Sequence, residues 1–171
     1  MRFVITGEWT RNELLKLVVF FFLLYISAFW VTSLLLFVHK MGFSYTSVVE
    51  HYLGSESRYL QARSYQGLLE VSHFHLFSMG ILMLTLTHLI LFVPLTQSTK
   101  FIFIVTSFSS AFLEELSGWL VRYLHPCFAW LKLGSFVVLQ LSILVLIALV
   151  IHALYTKQPS AYDNNVCPVR G

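Results

Sequence analysis

Residues Val71–Leu95 run VSHFHLFSMGILMLTLTHLILFVPL without one Lys, Arg, Asp or Glu, yet they include His73, His75 and His88. A membrane span needs about 20 mainly apolar residues at a rise of about 1.5 Å each. This stretch is therefore long enough to cross a bilayer, and it sets imidazoles at or near hydrocarbon depth. An ionisable side chain there is costly and marks a functional site by default. Imidazole is also the commonest side-chain ligand of metals and a frequent axial ligand of haem iron. The sharpest expectation is a membrane-embedded redox or metal-binding subunit.

Three further stretches have the same character. Leu17–Val38 is charge-free and ends at His39-Lys40. Phe101–Tyr123 ends before His125-Pro126, where proline disfavours continuation of the helix. Leu133–Tyr155 is followed by Lys157 and Pro159. Spans are expected at 17–39, 66–95, 101–123 and 131–155, in a single membrane domain covering 1–171. The predicted fold is an all-α integral membrane protein. Its four transmembrane helices form an up-down bundle, with a short interfacial helix between the first two.

Composition agrees: 57% of residues are hydrophobic and 11% charged, where a soluble domain carries about 25% charged residues. The bilayer is the first expected partner. The net charge of +3 comes from scattered residues, which argues against nucleic acid as a partner. Cys127 and Cys167 form no closely spaced pair and no thiolate metal motif. The first apolar stretch lacks a small-x-small cleavage pattern and reads as an uncleaved helix.

Between the first two spans, Lys40–Ser64 is expected to lie outside the membrane. Thr46-Ser47 is predicted to cap a short helix, SVVEHYL, closed by Gly54. Val48, Val49, Tyr52 and Leu53 would form its apolar face, and Glu50 and His51, with Glu56 and Arg58 beyond it, the polar side. Thr156–Gly171 reads as a polar tail, either disordered or docked on another protein. Four spans return the chain to its starting side. Arg2, Arg11 and Lys16 flank the first span, so the positive-inside rule leans to cytoplasmic termini.

Depth pairs the histidines. His73 and His88 are separated by about 22 Å of rise and about 60° of rotation, so they share a sector at two depths. At the His88 level the fourth span offers His152. At the His73 level the candidates are His39 and His125, at helix ends. His75 diverges from His73, since i and i+2 do not share a helix face. For His125 the plainer role is to cap carbonyls at the end of the third span, and for His51 a place on a polar helix face.

This arrangement resembles, in architecture, the b-type cytochromes of respiratory complexes, whose four-helix bundles hold haem between histidines of diagonal helices. The resemblance implies haem b as cofactor, with His88 and His152 as one axial pair and His73 with His39 or His125 as a second. The fourth span departs from that pattern in having a single histidine. The segment HYLGSESRYLQARSYQGLLEVSHFHLFSM (His51–Met79), with its Glu-x-x-His-x-His-Leu-Phe block, is similar to one recurring in small four-span bacterial inner-membrane proteins. WLVRYLHPCFAWLK (Trp119–Lys132) is similar to their third-to-fourth hairpin. This second resemblance implies no established activity; it draws attention to Glu70, His73 and His75.

Carboxylates give two more candidates. Glu70 and His73 share a helix face at i, i+3, the unit with which ferritin-like bundles hold metals. It occurs once, so a mononuclear site is conceivable and a di-metal site is not supported. Glu114 and Glu115 lie at depth in the third span, behind the small-residue run Thr106–Ala111. Adjacent residues point about 100° apart, so one carboxylate could face the bundle and the other a partner protein or a quinone-like ligand.

No Gly-rich phosphate loop, GxSxG or HExxH is present, and no residue is assigned as catalytic. Two functions contend. One is a haem b-binding electron-transfer subunit of a larger respiratory or redox complex, exchanging electrons with quinone or a cytochrome. The other is a non-catalytic accessory or anchor subunit among other membrane subunits.

Overall fold

The computed structural model describes residues 13–155. The polar tail 156–171, Cys167 and the amino-terminal arginines lie outside these residues. Five α-helices follow one another: α1 (Glu13–Lys40), α2 (Tyr45–Leu53), α3 (Tyr65–Ile90), α4 (Gln97–Tyr123) and α5 (Ala129–Tyr155). Four of them, α1, α3, α4 and α5, are long and apolar enough to cross a membrane. Among the described residues the sole β pairing is a bridge between Ser55 and Leu60. The chain is an all-α integral membrane protein with four spans and a short extramembrane helix.

Apolar residues surround most of α1 and α5, as expected of helices whose outer face meets lipid. α5 is the central element and packs against α1, α3 and α4. Its tightest neighbour is α4, joined to it by the short segment 124–128. The buried positions of α4 are small: Ser107, Ser110, Ala111, Ser117 and Gly118, beside Val121. Lipid tails are as apolar as leucine, so membrane helices gain by close backbone approach and interhelical hydrogen bonds, which small residues permit.

α1 joins the bundle through α5. The Trp30 indole donates to the Gln140 carbonyl at 2.9 Å, and the Gln140 amide donates to Ser33 Oγ at 3.2 Å. Phe37 stacks on Phe136 with ring centroids 3.6 Å apart.

Three of the differences between the helix ends and the sequence reading have a clear physical cause. α3 stops at Ile90 and not at Leu95. Leu91, Phe92 and Val93 donate to carbonyls three residues back, tightening the chain ahead of Pro94, which disfavours helical backbone at Val93. α4 starts at Gln97, where Thr96 Oγ1 accepts the Thr99 N–H, so its polar first turn belongs to the helix. α2 is capped by Ser44, whose hydroxyl oxygen accepts the Ser47 N–H at 3.1 Å, and not by Thr46 or Ser47. Beginning two residues early lets Tyr45 stack on Trp130.

Gly54 closes α2 with φ of 85°. A Cβ there would also meet the Leu60 carbonyl oxygen at 2.7 Å, because the loop folds back across it. Arg122 Nε donates to the Arg63 carbonyl at 2.8 Å and Arg63 N–H to the Tyr52 carbonyl at 3.0 Å. These bonds hold α2 against the connected ends of α4 and α5.

Candidate functional site

The short link between α4 and α5 brings Glu114 of the one helix beside Lys132 of the other. The Lys132 ammonium donates to the Glu114 carbonyl oxygen at 2.8 Å and pairs with Glu114 Oε1. Lys132 is only 4% exposed. A lone buried cation would be prohibitive, and the carboxylate beside it makes the charge tolerable.

Glu115 points to α3. Its Oε1 accepts the Ser72 hydroxyl at 2.5 Å, and its Oε2 lies 3.3 Å from His75 Nδ1. The Trp119 indole donates to Ser72 Oγ at 2.7 Å, extending the chain of bonds within α4 and α3. The roughly 100° between adjacent helical residues thus sends one glutamate to α5 and its neighbour to α3. Carboxylate oxygens that face protein in this way are supplied with donors that lipid cannot offer.

α2 covers this cluster from outside the spans. Tyr52 is buried, and Lys132 Nζ lies 5.9 Å from the centre of its ring. A Cβ on Gly118 would come within 2.9 Å of the Tyr52 hydroxyl oxygen, so glycine is what admits the phenol at that level of α4. Burial pushes the Tyr52 phenol above its ordinary range. On the neighbouring position, burial and then the positive charges of Arg63, Lys132 and Lys40 bring His51 down to about 4. Neutral His51 can then accept at Nε2, which lies 3.2 Å from Arg63.

Of the candidate residues, the structure brings together His75, Glu114 and Glu115. One ligand atom from each falls within 4.8 Å of the others. An N/O set of this kind could hold a divalent ion, but the Lys132 charge already on Glu114 opposes a second cation.

The other candidates stand apart from this cluster. Glu70 is exposed and accepts from Gln66 at 2.9 Å. His73 is exposed, edge-on to Phe74. His39 is exposed at the end of α1. His125 is exposed, and its Nδ1 accepts the Cys127 N–H at 3.1 Å. It caps the turn that starts α5 and not the carbonyls that end α4, because an unprotonated ring nitrogen accepts. His88 is exposed beside Phe92, and His152 is exposed near the end of α5. The buried residues beside them in sequence, Leu86, Ile90, Val150 and Ala153, belong to one apolar cluster, and both imidazoles are exposed. The two imidazoles therefore do not share an interior gap that could take a porphyrin.

Sequence reasoning missed Lys132, Ser72, Trp119 and Tyr52. Lys132 stands at the edge of the expected fourth span, and its nearness to Glu114 across the short α4–α5 link was the signal available. Ser72 and Trp119 carry no such signal, since they become partners only when α3 packs on α4.

A family model, Aq_1264_TM, described as a transmembrane helical domain, matches residues 42–161. The chain belongs to that family. The matched segment contains α2 to α5 and every residue of the polar cluster. No curated protein and no solved structure matches the chain.

Proposed function

We propose that this member of the Aq_1264_TM family is a non-catalytic subunit of a larger membrane complex, docked through the outward face of α3. One observation carries the reading. Glu70, Phe74, Phe77, Ile81, Leu84 and His88 are all exposed, and they follow one another at alternating steps of four and three residues. That spacing is the heptad seam with which two helices interdigitate. Lipid would satisfy the four apolar residues, whereas a transmembrane partner helix satisfies the imidazole and carboxylate at the two ends as well. The same reading carries a bacterial inner-membrane location with cytoplasmic termini, supported by the basic residues flanking the first span.

The test is the native mass of the protein extracted in mild detergent. A second chain at fixed stoichiometry, cross-linked to Phe77→Cys and released by His88→Leu with Phe77→Ser, is expected. A monodisperse 19.7 kDa protomer with no cross-link at Phe77→Cys overturns the reading. A cross-link between two copies of this chain replaces the heteromeric partner with a homodimer.

Electron transfer through haem b, with quinone or a cytochrome as redox partner, is the competing reading. Because His88 faces outward, a haem ligated by it would sit between this chain and a partner, not inside the bundle. A bis-imidazole iron is low-spin, so the reduced complex would show sharp α and β bands lost in His88→Ala. Their absence from the intact complex removes this reading and leaves the docking one standing.

A further inference from the structure

We propose that the cleft between α3 and α4 binds the ring of a lipid-soluble quinol through His75 and Glu115. This goes beyond the docking reading and does not depend on it, since the cleft lies on the side of α3 that faces α4. The cleft has a volume of about 120 Å³ and is lined by His75, Met79, Gly80, Phe108, Phe112 and Glu115, among others. Its level sets the ligand class first. His75 lies about 15 Å along α3 from its start, and Glu115 about 12 Å from the end of α4. Both are beneath the membrane surface, so a ligand reaches them by partitioning into lipid.

Size and charge narrow the class further. An apolar cavity of about 150 Å³ accommodates benzene, so this cleft of about 120 Å³ takes one edge of a six-membered ring, with the outer substituents and any tail left in the bilayer. Methionine sulfur and phenylalanine rings supply polarisable walls for such a ring. Glu114 and Glu115 repel an anionic head, and Lys132 on Glu114 repels a metal ion. A neutral head that donates hydrogen bonds remains. His75 engages Glu115 through Nδ1, which leaves Nε2 as the second ring nitrogen to accept from a hydroxyl. Ser72 and Trp119 anchor Glu115 from behind, so the acceptors are set before the ligand arrives. Two hydroxyls on a planar ring with an apolar tail, the chemistry of a quinol, use all of these features.

Gly80 makes the proposal testable without disturbing the polar cluster. A Cβ at Gly80 meets nothing within 4 Å, so Gly80→Leu projects a side chain into open space at the cleft and also favours the helix. The experiment measures decylubiquinol retained by the full chain in nanodiscs, with empty nanodiscs subtracted. Saturable binding of one molecule per chain is expected, weakened at least tenfold in both Gly80→Leu and His75→Phe. Leu35→Ala, exposed on α1 and away from the cleft, should bind as the native protein does. Decylbenzene keeps a six-membered ring and the decyl tail but lacks the hydroxyl, methoxy and methyl groups, and should bind at least tenfold more weakly than decylubiquinol. Absence of saturable binding, unchanged binding in Gly80→Leu, or equal retention of decylbenzene overturns the proposal. If His75→Phe fails to fold, the Gly80→Leu and decylbenzene measurements still decide it.

Discussion

The two halves of the bundle are held by different forces. In the half near α2, Glu114, Glu115, Lys132, His75, Ser72, Trp119 and Tyr52 meet through directional contacts. In the other half, Leu82, Met83, Leu86 and Ile90 of α3 pack with Ile143, Leu146 and Val150 of α5, and the buried Thr87 hydroxyl donates to the Met83 carbonyl of its own helix. Van der Waals packing there can be redistributed among similar side chains. A hydrogen-bonded charge cannot be redistributed, because a deserted partner stays buried. The polar half therefore specifies one arrangement of α2, α3, α4 and α5, while the apolar half contributes attraction with little directional demand. Substitutions should separate the halves by more than an order of magnitude in the unfolding equilibrium constant.

The largest effect is expected from Lys132→Met. It keeps an unbranched side chain one atom shorter and removes the ammonium, leaving the Glu114 carboxylate uncompensated in a buried site. Breaking one partner of such a pair costs about 3–5 kcal/mol. Unfolding in detergent micelles should show a loss of that size. The double variant Lys132→Met with Glu114→Leu should recover most of it, since replacing both charges by apolar groups is often neutral. A double variant as unstable as the single one would show that the charges do not act as a pair.

Gly118→Leu should come next. The new side chain collides with the Tyr52 phenol, 2.9 Å from where its Cβ would stand. Overpacking of this kind costs typically 1–3 kcal/mol. The local reporter is α2: Ser57→Cys outside the spans should label with unchanged speed, whereas Val48→Cys, fully buried in the native fold, should become reactive in the Gly118→Leu background. Continued protection of position 48 would mean that Tyr52 does not fix α2 to α4.

This contrast also explains what could be read from the chain itself. The four spans were legible because hydrocarbon thickness selects long, mainly apolar runs, and those runs are local. The interfacial helix was legible from Gly54 and the apolar Val48 and Tyr52, although its cap lay at Ser44, where a third serine or threonine competed with two equally suitable neighbours. The depth of Glu114 and Glu115 was legible for the same local reason. Their partners were not, because Ser72 and Trp119 meet only when α3 packs on α4. His75 was singled out for its imidazole, but nothing local ties it to Glu115. His88 shows the opposite error of inference: depth alone suggested an interior ligand, while helix phase turns it outward and gives the interior to Leu86 and Ile90. A rotation of about 100° per residue decides which of two neighbours is buried, and an all-round apolar helix offers little amphipathic pattern to fix that rotation.

In the apolar half the expected response is weaker. Met83 is fully buried in the shared cluster, and Met83→Leu preserves its volume and polarity. Such exchanges usually cost less than about 1.5 kcal/mol. A loss approaching that of Lys132→Met, measured in the same micelles, would mean that the apolar half is as demanding as the polar one and would dissolve the comparison.

The smallest effect should be one of pH, at the edge of the polar half. His51 sits on α2 with Arg63 against Nε2, and its pKa is lowered to about 4 from an ordinary 6.5. Burial is the first cause, followed by Arg63, Lys132 and Lys40. Between pH 6.5 and 4 the unfolded chain binds a proton at this position and the folded chain does not. The contribution of His51 to stability is therefore constant above the unfolded value, falls as pH drops through that window, and levels off below the folded value. Half-exposure to solvent screens the charges that cause the shift, which keeps the effect small. His51→Asn cannot titrate, so the difference in unfolding midpoint between the native chain and this variant should be flat above pH 6.5 and shift in favour of the variant toward pH 4. A difference that stays constant across the whole window would show that Arg63 does not hold the imidazole neutral and that α2 is placed by Tyr52 and Val48 alone.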